Sequence, residues 1–397
     1  MSGEKHRLVS ICTTVALLVA GCGNTSTPEP VPPPAAPQTT SVTRAPNADP
    51  GTDPGRAPVA PLPRLTLRQL AGQRVIYSYK GATPPASLLE AIRRGEAAGV
   101  IFFAGNVRSR AKLRAAVAKI KKANSESPVK APLLLMTDQE GGPVRRLPGA
   151  PFQSARQMGA SANPAATAAK AGRDTAANLR GVGLNVNLAP VLDVYRKKGD
   201  FADRFGRSFS KDPKKVAALA SAFLKAQQKG GVAATVKHFP GLGPAPTKAN
   251  TDLRKVVLKT PAAVLRSVDE SPYGPAIAAG APMVMLSWAV YPALDKTRPA
   301  GLSQKIISGE LRGRVGFKGV TITDALEAGA LKKFGSVATR GLLAAGAGMD
   351  LLLFSAQNPA AGLSGVTVLA KALQEGKLDK KRTESAVRRI LTVRRAY

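Results

Sequence analysis

From about residue 65 to residue 397, short apolar runs recur, and each closes on a polar residue or a glycine. They fall at 74–79, 99–103, 133–137, 184–188, 232–236, 283–287, 319–323 and 350–354. Apolar residues fill consecutive positions in these runs, the pattern of strands buried on both faces. Between the runs the pattern takes on helical period, as at 86–98, 111–124, 213–229 and 304–314. Asp212-Pro213 provides an N-cap and a first-turn proline for the third of these. Eight strands alternating with helices predict a parallel α/β protein, and eight is the number that closes a (β/α)8 barrel of the TIM type. A doubly wound open sheet is the alternative. No G-x-G-x-x-G follows the first run, which weighs against a dinucleotide site. The last stretch, 379–397, reads as a basic amphipathic helix packed on the barrel.

The first 63 residues follow different rules. Lys5, His6 and Arg7 precede an apolar stretch, 8–20, that is too short to span a bilayer comfortably. Val19-Ala20-Gly21-Cys22 then resembles a bacterial lipobox. On that reading 1–21 is a lipoprotein signal peptide, and Cys22 is lipidated and becomes the new N-terminus. An ordinary secretory signal with an incidental cysteine is the other reading. Residues 22–63 are rich in Pro and Thr and poor in large apolar side chains, the composition of a flexible tether. The domain would then be 64–397, lipid-anchored on the extracytoplasmic face of the cell membrane. Cys12 and Cys22 are the only cysteines, so the mature chain holds no disulfide.

The charge changes the list of partners. With 58 Lys and Arg against 25 Asp and Glu, the chain carries +33. Such an excess favours anionic surfaces, among them acidic wall polymers. Aromatic residues are only 5% and no dense basic run interleaves with them, so a dedicated nucleic-acid site is not expected. Nor is a metal site: the carboxylates lack ligand spacing, and one histidine remains beyond the leader. No cofactor is expected.

That histidine, His238, sits in Val236-Lys237-His238-Phe239-Pro240-Gly241-Leu242-Gly243, where an apolar run ends in a Pro/Gly turn. Other runs also end in reactive residues. The third leads into Asp138-Gln139-Glu140-Gly141-Gly142, and the seventh into Asp324. Asn185 and Asn187 precede Ala189-Pro190-Val191-Leu192-Asp193. In a barrel, strand ends carry the site. Asp138 and Asp324 taken singly could each be a helix cap. Together with Lys237, His238 and nearby arginines they could hold a polyhydroxylated ligand, since carboxylates accept from hydroxyls and Lys and Arg donate to sugar oxygens.

Three of these motifs, Lys237-His238-Phe239-Pro240-Gly241, Asp138-Gln139-Glu140-Gly141-Gly142 and Thr323-Asp324-Ala325-Leu326, resemble glycoside hydrolase family 3. The likeness is to its single-barrel β-N-acetylglucosaminidases acting on peptidoglycan fragments, and it extends from about 65 to 397. Residues 187–193 and 207–213 match the same family. The resemblance implies that Asp324 is the nucleophile and that Asp138, Arg146, Arg207, Lys237 and His238 bind the sugar. Family members carry Asp-Ser-His on a loop after the Lys-His motif, and its His is the general acid/base. Here Asn250-Thr251-Asp252 occupies that place, and Asp252 is the nearest substitute donor. A solvated loop carboxylate or a cap is the other reading of Asp252. The function this implies is a retaining exo-β-N-acetylglucosaminidase. A β-glucosidase or glycoside phosphorylase of the same fold, or a wall-sugar-binding lipoprotein without turnover, are the alternatives.

Overall fold

The computed structural model describes residues 64–397 together with Leu62. The expected signal peptide, Cys22 and nearly all of the tether lie outside the described residues. Eight strands form one parallel sheet: β1 Val75–Tyr77, β2 Gly99–Ile101, β3 Leu134–Thr137, β4 Val186–Asn187, β5 Ala233–Phe239, β6 Met283–Leu286, β7 Val320–Thr323 and β8 Leu352–Leu353. β1 pairs with both β2 and β8. A single parallel bridge, Ile322↔Leu351, joins β7 to the start of β8 and brings the sheet round on itself. The result is the (β/α)8 barrel. Each strand falls within or against its apolar run because a barrel strand is covered on both sides. Ile76, Met136, Val186 and Ile322 pack inside, while Val75, Leu135, Val236 and Val284 pack against the outer helices.

The helices keep their expected places but not all their ends. Pro213–Lys229 begins at the Asp212 cap, whose side chain accepts from Lys214 N. The helix expected over 86–98 stops at Arg93, because Gly95 at φ +74° turns the chain toward β2. The one expected over 304–314 is wound as a π-helix, Lys305–Arg314, in which the Val315 N–H reaches back five residues to Glu310 O.

The C-terminal helix, Lys380–Ala396, closes the base of the barrel. Ile390 and Val393 join the inner apolar cluster. Beside them the fully buried Arg394 guanidinium donates to Pro132 O at 2.6 Å, to Ala131 O at 2.8 Å and to Gln73 Oε1. Burial pulls this arginine down to about 9. With the base closed, the C-terminal strand ends are left as the place where polar side chains can converge.

Candidate active site

A cavity of about 500 Å³ opens at those strand ends, floored by Ile101, Leu188, Met285 and Leu353 from inside the barrel. All seven catalytic and sugar-binding residues expected from the sequence line it: Asp138 after β3, Arg146 just after a short hairpin, Arg207 on the β4 loop, Lys237 and His238 on β5, Asp252 on the following loop, and Asp324 at the end of β7. In a regular strand Lys237 and His238 would point to opposite faces. The β5–β6 ladder breaks register between Val236 and Phe239, and such an irregularity re-aims a side chain.

One wall is a closed network of opposite charges. Lys237 Nζ lies 2.8 Å from both Asp138 Oδ1 and Glu140 Oε1. Arg207 grips Glu140 with two bonds of 2.8 Å, and Arg146 stands 3.5 Å from Asp138 Oδ2. Burial opposes ionisation of both acids, but the cations overcome it. Lys237 and Arg146 hold Asp138 below the ordinary carboxylate range, and Arg207 with Lys237 hold Glu140 well below it. These carboxylates are fixed acceptors. Their backbone is fixed as well: Asn187 brackets Gln139 by accepting from its N–H and donating to its carbonyl, both at 3.0 Å. Gly142, at φ +54° and against Ser154, allows the turn that follows.

His238 is oriented from behind. Its Nδ1–H donates to Asp193 Oδ2 at 2.7 Å, while Asp193 Oδ1 accepts from the Leu242 N–H at 2.7 Å. Nε2 is left toward Arg207, 3.4 Å away, and toward the cavity.

Asp324 and Asp252 differ from the other two acids in having no ion pair among the described residues. Neither caps a helix. Asp324, half-buried, accepts from the Ala325 N–H at 2.7 Å, and Trp288 Nε1 pins Ala325 through its carbonyl at 2.8 Å. Asp252 stands at the rim and keeps contact with solvent. Even so, desolvation against the wall, reinforced by the negative charge of Asp324, raises its carboxyl above the ordinary Asp range; His238 and Arg207 pull weakly the other way. Its loop is docked in place. Gly329 N–H donates to Asp252 O at 2.7 Å and Ala330 N–H to Thr251 O at 3.0 Å. At the mouth Phe205 is exposed, with the Arg204 guanidinium 4.8 Å from its ring centre.

Comparison with known proteins fits this arrangement. The Glycosyl hydrolase family 3 N terminal domain matches residues 66–393. The chain belongs to glycosyl hydrolase family 3. It is 47% identical over 336 residues to an uncharacterized secreted glycosyl hydrolase of Arthroderma benhamiae, covering 84% of this chain and 95% of that one. It is 36% identical to a beta-hexosaminidase of Xanthomonas oryzae pv. oryzae, covering 64% of this chain and 75% of the relative. Among solved structures, the beta-N-acetylhexosaminidase of Beutenbergia cavernae superposes with a TM-score of 0.73 at 34% identity, over 83% of this chain and 99% of that one. A family 3 beta-N-acetylglucosaminidase from Paenibacillus gives 0.79 at 31%, over 84% and 63%.

Two members of the family 3 site were not singled out by sequence reasoning. Glu140 is the second carboxylate of the charged wall, and its signal was the i, i+2 spacing from Asp138, which puts both on one face of extended chain. Asp193 positions His238 from the end of a quoted motif, but nothing local ties it to a residue 45 positions away.

Proposed function

We propose that this family 3 glycoside hydrolase is a retaining exo-β-N-acetylglucosaminidase that removes non-reducing terminal GlcNAc from peptidoglycan fragments. One observation carries the reading: of the four carboxyls in the cavity, two are neutralised by cations and two are left free, one of them pushed up. A carboxyl pushed up by desolvation and by the charge of Asp324 holds its proton more readily, which suits a donor, and Asp324 beside it, without a cation, suits a nucleophile. Asp138, Arg146, Arg207, Lys237 and His238 would hold the sugar hydroxyls. Asp324 would attack the anomeric carbon while Asp252 gives its proton to the departing oxygen. In the second step Asp252 would take a proton from water as that water displaces Asp324, so two inversions return the β configuration. The hexosaminidase specificity rests on the bacterial relatives, and the peptidoglycan source on the lipobox-like leader and the basic surface. We further propose attachment to the extracytoplasmic membrane face through Cys22.

The deciding experiment compares aryl N-acetyl-β-glucosaminide with aryl β-glucoside, with and without phosphate, and follows the product anomer by NMR. Hydrolysis of the first to β-GlcNAc, unaffected by phosphate, is expected. Preference for the glucoside, or a sugar phosphate product, would transfer the chain to the other two enzymatic readings. Binding of GlcNAc oligomers without turnover of either substrate would leave it a wall-sugar-binding protein.

A further inference from the structure

At the base of the barrel, opposite the sugar cavity, lies a second cleft of about 520 Å³. It runs between the first turns of Lys380–Ala396, the segment 376–379, the end of Val337–Ala347 and one side of Lys305–Arg314. Arg74, Arg312, Lys377, Lys381, Arg382 and Arg389 line it, against two carboxylates, Asp350 and Asp379. Neither carboxylate is free. Asp350 is buried and bonded at 2.7 Å to both Arg312 and Arg389, and it also accepts from Thr321 N at 2.9 Å. Asp379 is spent on the helix cap, accepting from Arg382 N at 2.9 Å.

The cations are therefore in excess, and they are not equivalent. Lys377 leans on Glu375 at 2.8 Å. The side chains of Lys381 and Arg382 are exposed and make no hydrogen bond or ion pair with any described residue. Arg74 forms the back of the cleft at 2% exposure. It donates to Asp350 O at 3.1 Å, Met349 O at 2.5 Å and Thr383 Oγ1 at 3.2 Å, with no carboxylate in contact. Burial depresses it to about 10, with the Asp350 charge pulling it up and the charges of Arg389 and Arg382 pulling it down. The positive charges crowd one another, and an arriving anion relieves them all at once.

We propose that this cleft binds phosphodiester groups, seating their oxygens on Lys381, Arg382 and Arg389 while the sugar cavity at the other end stays open. Guanidinium and ammonium groups suit phosphate oxygens. No aromatic side chain lines the cleft, so nucleic-acid bases would find nothing to stack on. The same phosphodiester could come from a polyol phosphate polymer or from a phospholipid headgroup. The proposal does not depend on the reaction assigned above.

The test is equilibrium binding of the full chain to a soluble poly(glycerol phosphate) and to phosphatidylglycerol vesicles, at several salt concentrations. Two charge-matched variants are compared: Lys381→Glu/Arg382→Glu in the cleft, and Lys119→Glu/Lys122→Glu on the exposed face of the helix Arg110–Ser125. The cleft variant should lose about tenfold in affinity, and its salt slope should shrink by about 1.4, at roughly 0.7 per lost contact. The helix variant should lose much less. Both should keep wild-type melting and wild-type aryl-glycoside turnover. Effects confined to the polymer or to the vesicle assign the source. Equal losses in both variants would reduce the effect to diffuse attraction by the +33 charge and overturn the proposal, as would failure of the wild type to bind either probe.

Discussion

Gly329 offers a way to move Asp252 without altering it. A β-carbon at residue 329 would lie 2.2 Å from Leu253 O and 2.9 Å from Asp252 O. A comfortable carbon–oxygen approach is about 3.3 Å, so Gly329→Ala must drive the Asp252 loop and the 328–330 segment apart by about 1 Å. That displacement also stretches the 2.7 Å bond from Gly329 N–H to Asp252 O. A shift of 1 Å in a reacting group is worth about 10²-fold in rate. The loss should depend on substrate. With a disaccharide the leaving oxygen needs a proton, and kcat/KM should fall about 10²-fold. With an activated aryl glycoside the first step needs none, and the fall should stay within about threefold. The assay is steady-state kinetics on both substrates, with a thermal melt to show that the barrel is intact. Equal losses on both substrates would mean that the sugar pocket, and not the donor, had moved. An unchanged disaccharide rate in a folded variant would refute the positioning argument.

Three further outcomes are expected. Asp324→Ala should abolish turnover of every glycoside, whereas Asp252→Ala should lose about 10²- to 10⁴-fold on the disaccharide and spare the aryl glycoside until deglycosylation becomes limiting; azide should then speed the Asp252 variant on the aryl substrate and yield a β-glycosyl azide, and equal losses on both substrates with no rescue would remove Asp252 from the mechanism. Asp269 is buried beside Arg196, and burial pushes it up to about 7 despite that partner. A carboxyl raised in the folded state binds its proton more tightly there than when unfolded, so its contribution is full below about pH 4 and is lost as pH rises toward 7; urea midpoints at pH 5 and 8 should show wild type losing stability across this window and Asp269→Asn losing less, and parallel falls would refute the assignment. Cys22→Ala should release the protein into the medium with unchanged activity per mole, measured by fractionation, and a variant retained at the membrane would point to the basic surface as the anchor.

The barrel was legible because its strands are covered on both faces. Runs such as 133–137 and 319–323, short and set between longer helical stretches, read as buried strands, and they became Leu134–Thr137 and Val320–Thr323. Helix ends were less so, since Arg93 stops where Gly95 turns, a choice set by the approach to β2. At the site, residue types were legible and partnerships were not. Asp138 stood out, but its bond to Lys237 spans 99 residues. Asp193 looked like the end of an apolar run until β4 and β5 came together. The free state of Asp252 and Asp324 follows from which cations Asp138 and Glu140 had already taken, a fact of three dimensions only.

The helix that closes the base of the barrel also sets a timetable. Arg394 bonds to Gln73, 321 positions earlier, and to Ala131 and Pro132, more than 260 positions earlier. A nascent chain that has not yet delivered this helix has all eight strands and nothing to seal them. Leu134, Met283 and Val320, which begin β3, β6 and β7 and share the inner cluster with Ile390 and Val393, would then face water at the open end, a surface that invites aggregation. Completion of the oldest part of the core thus waits on a segment far downstream. A truncation or a bulky fusion there would act on the centre of the molecule, and a tag placed before residue 64 is the safer choice.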